Sequence, residues 1–184
     1  RTILITGCSS GIGLASARMM SARGWHVIAT ARKDADLAML RADLKVDAVH
    51  LELADPNSVA ACADRALSLS GGRIDALFNN AAYGQAGAVE DLSVDLLRRQ
   101  FEVNLFAQHE LIRRLLPGMR RQGHGRIVQC SSVLGLVAAP MRGAYCASKF
   151  AMEGLTDSMR IELAGSGVHI SLIEPGPIRT RFVE

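Results

Sequence analysis

Thr2-Ile3-Leu4-Ile5-Thr6-Gly7-Cys8-Ser9-Ser10-Gly11-Ile12-Gly13 passes from a short apolar run through a glycine-rich turn into residues with helical spacing. Branched apolar residues favour an extended strand. The apolar positions of Gly11 to Arg23 recur at helical intervals. Glycines let the backbone turn sharply and let an anionic group approach main-chain N–H groups at a helix N-terminus. The spacing is Gly-x-x-x-Gly-x-Gly, which differs from the commoner Gly-x-Gly-x-x-Gly fingerprint. Taken alone, such a turn also serves merely to tighten a strand-to-helix connection. Its place after the first strand points to phosphate binding by Gly7, Ser9, Ser10, Gly11, Ile12 and Gly13.

The same alternation continues outward. Trp25 to Thr30 reads as a second strand, Asp34 to Leu44 as a helix, and Ala48 to Leu51 as a third strand. Pro56 suits a first helical turn, and that helix is expected to reach about Ser70, where Gly71-Gly72 breaks it. Ile74 to Phe78 is a fourth strand, followed by one long helix from about Ser93 to Arg121 that Pro117 bends or ends. Gly125 to Cys130, Ala144 to Ala164 and Val168 to Ile173 complete the series as strand, helix and strand. Strict alternation of β and α calls for a doubly wound parallel sheet in a three-layer α/β/α domain spanning residues 1–184. There is no linker, repeat or low-complexity tract to divide it.

Composition narrows the function classes. The 184 residues are 49% hydrophobic and 21% charged, with a net charge of +3, as in an ordinary globular domain. The basic residues are scattered, and Arg113, Arg114, Arg120 and Arg121 read as the solvated face of a helix, so no nucleic-acid surface is expected. Cys8, Cys62, Cys130 and Cys146 form no CxxC pair, which argues against a zinc site and a disulfide framework and for reduced thiols in the cytoplasm. No apolar run reaches the roughly 18 residues of a membrane span. The chain opens at Arg1 directly on a strand, so further residues are expected before it.

The end of the second strand bears on the dinucleotide. An acid about twenty residues past the turn grips both ribose hydroxyls of NAD, whereas a nearby arginine suits the 2′-phosphate of NADP. Ile28-Ala29-Thr30-Ala31-Arg32-Lys33 has no acid there, and Asp34 and Asp36 fit the start of the next helix. Arg32 is therefore expected to stack on adenine or pair with the phosphate, which favours NADP and leaves NAD open. The alternative is a plain surface arginine.

Tyr145-Cys146-Ala147-Ser148-Lys149 puts a phenol and an ammonium four residues apart on one helical face. A tyrosine titrates near pH 10 when unperturbed. A neighbouring positive charge favours phenolate and lowers that value, so such a pair can exchange a proton with a forming alkoxide. Gly125-Arg126-Ile127-Val128-Gln129-Cys130-Ser131-Ser132 is a strand ending in two serines, at the carboxyl edge where ligands of parallel sheets bind. Ser132, thirteen residues before Tyr145, is the candidate to hold a substrate oxygen, and Ser131 the one that merely ends the strand.

Together these motifs resemble the short-chain dehydrogenase/reductase family in its single-domain branch, over Thr2 to Thr180. Thr6 to Gly13 resembles the family's cofactor turn. Asn79-Asn80-Ala81-Ala82 resembles its Asn-Asn-Ala-Gly segment, with Ala82 in place of glycine. Asn104 matches the helix asparagine, Ser132, Tyr145 and Lys149 the other catalytic positions, and Pro175-Gly176-Pro177-Ile178-Arg179-Thr180 the segment beside the nicotinamide. The resemblance implies a Rossmann-type fold and a hydride exchanged between NADP(H) and a small-molecule alcohol or ketone. Tyr145 is implied to move the proton, and Lys149 to lower its pKa and bind the nicotinamide ribose. Asn104 is implied to position a water joining Lys149 to solvent.

The resemblance further implies that Asn80 and Ala81 line the adenosine ribose, that Ile178 and Thr180 orient the carboxamide beside Pro175, and that Glu52 and Leu53 meet adenine. Glu52 stands where the family often has aspartate, a longer carboxylate that shifts the contact. Family members usually continue past the equivalent of Glu184 through a substrate-covering segment and a seventh strand. The chain is therefore expected to lack its C-terminal end. The combination of the turn with Ala29-Thr30-Ala31-Arg32 is similar to branches acting on steroid- and retinol-type substrates, and Tyr83, Gly84 and Val133 to Pro140 are candidate pocket residues. A homodimer or homotetramer built through the long helices is a further implication. A dinucleotide sensor without chemistry is the alternative, and the complete Ser132–Tyr145–Lys149 set with Asn104 argues against it. A nucleotide-sugar epimerase or dehydratase shares the Tyr–Lys pair, but such chains are longer, with a different glycine spacing.

Overall fold

Strand β1 (Thr2–Ile5) is completely buried, with Ile3 and Ile5 facing one side and Leu4 the other, as a strand inside a two-faced parallel sheet requires. The computed structural model describes residues 1–180 and 182. After β1 come α1 (Gly11–Ala22), β2 (His26–Ala31), α2 (Asp34–Leu44), β3 (Asp47–His50), α3 (Pro56–Leu69) and β4 (Ala76–Asn79). Then follow α4 (Val94–Phe101), α5 (Ala107–Gln122), β5 (Gly125–Cys130), α6 (Gly143–Glu162) and β6 (Val168–Ile173). All six strands are parallel, in the order β3-β2-β1-β4-β5-β6. This is a Rossmann-type doubly wound sheet whose strand order reverses between β1 and β4, the place where such folds bind ligands.

Two cores form on its two faces. Ile3, Ile5, Val27, Ala29 and Phe78 pack with Ala17 of α1 and with Leu37 and Leu40 of α2. Leu4, Ile28, Leu77, Ile127 and Ile170 pack with Val59 and Ala63 of α3, Leu111, Leu115 and Met119 of α5, and Met159 of α6. Right-handed crossovers produce this division, because the chain winds first one way from β1 and then the other. Asp55 caps α3, its carboxylate accepting from the Asn57 N–H at 2.9 Å ahead of Pro56.

The stretch expected as one helix over Ser93–Arg121 is broken. A π turn at Glu102–Phe106 separates α4 from α5. Pro117 does not end α5. The helix continues to Gln122 and closes on Gly123 at φ 70°, because burial of Leu115 and Met119 offsets the one hydrogen bond that proline removes. Among the described residues, no helix is long and apolar enough to cross a membrane.

Candidate active site

The glycine turn lies at the reversal point and is held from both neighbouring strands. The Cys8 N–H donates to Thr30 O at 2.7 Å, and the Thr6 N–H to Phe78 O at 3.0 Å. Thr6 Oγ1 accepts from the N–H groups of Asn80 and Ala81, each at 2.9 Å. Asn80 Nδ2 donates to Thr6 O at 2.9 Å and to Gly7 O at 3.3 Å. Gly7 and Gly11 have φ of 72° and 57°, where a side chain is strained. A Cβ on Gly13 would lie 2.2 Å from Gly7 O and 2.6 Å from Asn80 Nδ2, so only glycine fits.

Ser10 is the extended N-cap of α1 and leaves the first-turn N–H groups uncapped by its own side chain, the arrangement that receives a pyrophosphate. Thr180 lies against this turn, its Cβ 3.2 Å from where a Gly11 Cβ would be. These residues fit a dinucleotide: first-turn N–H groups that the Ser10 side chain does not cap, glycine at 7, 11 and 13, and flanking polar groups.

Arg32 follows β2 with its side chain 70% exposed, 3.7 Å from Glu52. Glu52 also accepts from the Ala54 N–H at 3.0 Å, so its carboxylate is turned toward its own loop and Arg32. The Leu53 side chain belongs to the core, leaving only its backbone to meet a ligand. Asn80 is spent largely on the turn it braces.

Across β4, the segment 81–85 is pinned by a row of buried amides that sequence reasoning overlooked apart from Asn104. Gln108 Nε2 donates to Ala81 O at 2.8 Å. Asn104 Oδ1 accepts from the Tyr83 N–H at 3.1 Å, and its Nδ2 donates to Tyr83 O at 2.9 Å and Ser148 Oγ at 3.2 Å. Gln100 Nε2 donates to Tyr83 O at 2.8 Å, and its Oε1 accepts from the Gln85 N–H at 2.7 Å. Eight residues make about 2.2 turns of regular α-helix, roughly 80° out of line. The wide π turn absorbs one residue and returns Gln100 and Gln108 to one face. The available signal was three amides at four-residue spacing in an otherwise amphipathic stretch.

Ser132, Tyr145 and Lys149 converge. The Ser132 hydroxyl stands close enough to the Tyr145 phenol to pull its pKa down, and it caps the turn after β5 by accepting from the Leu134 N–H at 3.1 Å. Lys149 is fully buried. Its Nζ lies 5.6 Å from the Tyr145 ring centroid and donates to Cys130 O at 2.6 Å. Ser148 Oγ donates to Tyr145 O at 2.8 Å, which links Asn104 to the helical turn carrying the phenol. Burial pushes the Lys149 ammonium down to about 8, against the raising effects of Cys130 and Glu153.

The phenol departs from expectation. Burial is the largest influence and holds Tyr145 above its ordinary pKa, outweighing the nearby Ser132 hydroxyl and the Arg142 charge that pull it down. Lys149 is spent on a backbone carbonyl and does not reverse this. Beyond β6, Pro175 O accepts from the Val133 N–H at 3.1 Å, Ile178 is exposed, and the Phe182 ring meets Tyr145 edge-on at 5.8 Å between centroids.

The chain matches the family model for short chain dehydrogenase over residues 1–184. It is 46% identical over 184 residues to the Escherichia coli uncharacterized oxidoreductase YbbO, covering 100% of this chain and 68% of that protein. Human retinol dehydrogenase 8 is 39% identical over 191 residues, with 99% of this chain and 60% of that protein covered. Human 17-beta-hydroxysteroid dehydrogenase type 1 is 38% identical over 193 residues, with 99% and 58% covered. The chain thus spans between 58% and 68% of the length of these relatives.

Among solved structures, a short-chain dehydrogenase from Streptomyces avermitilis superposes with TM-score 0.93 at 37% identity, over 97% of this chain and 66% of that one. An actinorhodin polyketide ketoreductase solved with NADPH gives 0.93 at 28%, over 98% and 72%. A Burkholderia phymatum short chain dehydrogenase/reductase in complex with NAD gives 0.93 at 31%, over 99% and 67%.

Proposed function

The chain belongs to the short-chain dehydrogenase family, and from that premise we propose that it interconverts an alcohol and a carbonyl compound with Tyr145 as general acid and base. The observation that carries this is the convergence of Ser132, Tyr145 and Lys149 beside the glycine turn's crevice. A nicotinamide dinucleotide, when bound, supplies or takes up the hydride. Gly7, Ser9, Ser10, Gly11, Ile12 and Gly13 hold its pyrophosphate, and Pro175, Ile178 and Thr180 its nicotinamide end. Ala81 and the backbone of Leu53 flank its adenosine.

Because burial keeps the phenol protonated at neutral pH, Tyr145 donates a proton to the oxygen of a carbonyl being reduced. Ser132 holds that oxygen through a hydroxyl already within reach of the phenol. Lys149 places a positive charge one helical turn from the phenolate left behind, which eases proton loss as the oxygen gains charge, and binds the ribose. The π turn around Asn104 shifts the carbonyl-to-amide register, freeing acceptor capacity for a water that returns protons to Lys149.

Arg32, exposed past β2 and 3.7 Å from Glu52, supports NADP over NAD. Lipophilic substrates are supported by the relatives named for retinol and hydroxysteroids and by the exposed Val133, Leu136, Val137 and Met141 after Ser132. Cytoplasmic residence is supported by four buried free thiols. A homodimer or homotetramer is supported by exposed Phe106 of the π turn and exposed Phe150 and Ile161 of α6.

Tyr145→Phe tests the core of this reading by following NADPH oxidation with a ketone panel. It is expected to cut turnover by about 100-fold or more while NADPH binding persists. Retention of more than about a tenth of the rate, below any general-acid contribution, overturns the assignment.

A further inference from the structure

Arg142 stands three residues before Tyr145, and none of the roles above uses it. Its setting opposes a positive charge. It is the N-cap of the twenty-residue helix α6, the end of a helix where unpaired N–H groups already create positive potential. Among the described residues no carboxylate pairs with it, whereas Arg98, Arg113, Arg114 and Arg160 each have one. Arg142 is also half-buried.

The backbone nevertheless holds it there. Met141 adopts φ of 61°, a left-handed conformation that costs a side-chain-bearing residue energy. The Gly87 N–H donates to Met141 O at 3.1 Å, and Gly87 pairs with Arg142 in a short parallel bridge. Gly143 has no room for a side chain, because a Cβ there would lie 2.5 Å from Val89 Cγ2. The clamped segment aims Arg142 into the gap between the Tyr83–Gln85 loop and the phenol. A Cβ on Gly84 would lie 3.4 Å from Tyr145 Cδ2 and 3.6 Å from both a terminal Arg142 nitrogen and a ring carbon of Phe182. The three groups thus border one small gap at Gly84, and the Arg142 charge is close enough to act on the phenol.

Among the described residues, a left-handed backbone and a cation without a carboxylate partner thus sit side by side, next to a candidate proton donor. We propose that Arg142 is an anion-binding residue of the substrate site, selecting carbonyl compounds that carry a carboxylate or phosphate close to the reacting oxygen. This rests on the reading of Tyr145 as proton donor. The planar guanidinium offers paired donors that match two anionic oxygens, and partial burial strengthens the attraction over its value in water. The apolar surface of Val133, Leu136 and Val137 is left for the rest of the molecule, so the favoured substrate is an oxo acid or oxo phosphate with an apolar portion.

The test compares matched pairs on the full chain: levulinate with ethyl levulinate, and dihydroxyacetone phosphate with dihydroxyacetone. Initial rates of NADPH oxidation give kcat/KM for each. Arg142→Gln is expected to lower the anion-to-neutral ratio by about tenfold or more, chiefly through KM, with Arg142→Lys restoring part of it. Any change in Tyr145 titration affects both members of a pair and cancels in the ratio. The pair with the larger loss identifies carboxylate or phosphate as the preferred anion. Calorimetric binding of each anion with NADP present provides a readout independent of turnover, and circular dichroism establishes that the variants fold. A ratio unchanged by Arg142→Gln in both pairs overturns the inference while leaving the oxidoreductase reading intact. Arg142-dependent binding of an anion with no reduction of any carbonyl upholds the inference and overturns the proton-donor reading.

Discussion

Lys149→Met should make the protein more stable at neutral pH and inactive. Lys149 is fully buried, and its ammonium titrates at about 8 in the folded protein against an ordinary 10.5. That difference is worth about 3 kcal/mol, the cost of keeping the lysine charged in its burial site. The folded pKa lies below the unfolded one, so the unfolded chain binds more protons between pH 8 and 10.5, and wild-type stability rises with pH across that window. Below pH 8 the full cost is present.

Methionine keeps the volume and the apolar stem, but forfeits the charged hydrogen bond to Cys130 O at 2.6 Å, worth about 2 kcal/mol. The net gain at pH 7 is about 1 kcal/mol, or roughly 2–4 °C in Tm for a chain of this size. Thermal melts of both proteins from pH 7 to 10.5 should show the advantage shrinking and then reversing, as neutral lysine recovers its one hydrogen bond without the charge. A variant that melts below wild type at pH 7, or a difference that stays flat with pH, refutes the reasoning.

Arg32→Asp should shift preference from NADPH toward NADH by removing a phosphate partner and adding repulsion; an unchanged ratio of the two kcat/KM values sinks the role given to Arg32. Gly13→Ala should cost about 1–3 kcal/mol by overpacking, because its Cβ would meet Gly7 O at 2.2 Å. Denaturant melts and NADPH titration should fall together, and a variant that binds normally would show that the turn yields. Gln100→Leu should cost about 1–3 kcal/mol by leaving the Gln85 N–H unpaired, and KM should suffer more than kcat because the loop facing Tyr145 loses its anchor. Steady-state kinetics showing an unchanged KM would confine Gln100 to stability.

What was legible in the sequence was local. Asp34 to Leu44, Gly125 to Cys130 and Val168 to Ile173 have the same bounds as α2, β5 and β6, since capping, glycine breaks and apolar runs act on neighbours along the chain. The convergence of Ser132 with Tyr145 followed from both lying at the carboxyl edge of the sheet. The π turn was not legible, because Phe101-Glu102-Val103-Asn104-Leu105 has the apolar spacing of an ordinary helix. What defines that turn comes from elsewhere: Tyr83, twenty-one residues away, holds both ends of the Asn104 amide. The raised phenol pKa was likewise hidden. Proximity of Lys149 could be read from four-residue spacing, but the burial that outweighs it belongs to the assembled fold. Arg142 looked like any loop arginine until Gly84, Gly87 and Val89 were placed around it.

These hidden features share one location and one energetic sign. A buried ammonium, a left-handed Met141 and, among the described residues, a cation without a carboxylate partner at a helix N-terminus each work against the folded state, and all lie on the carboxyl side of β4 and β5. The other side of each strand carries continuous apolar packing in two cores, where no such cost arises. A sheet that buries both faces can tolerate this concentration because apolar packing on β4, buried along its whole length, and on the neighbouring strands offsets it. The site is therefore rigid without being locally stable, which is what positioning a proton donor, a substrate oxygen and a dinucleotide within one crevice requires. Relieving any one cost, as Lys149→Met does, should improve the fold and degrade the chemistry together.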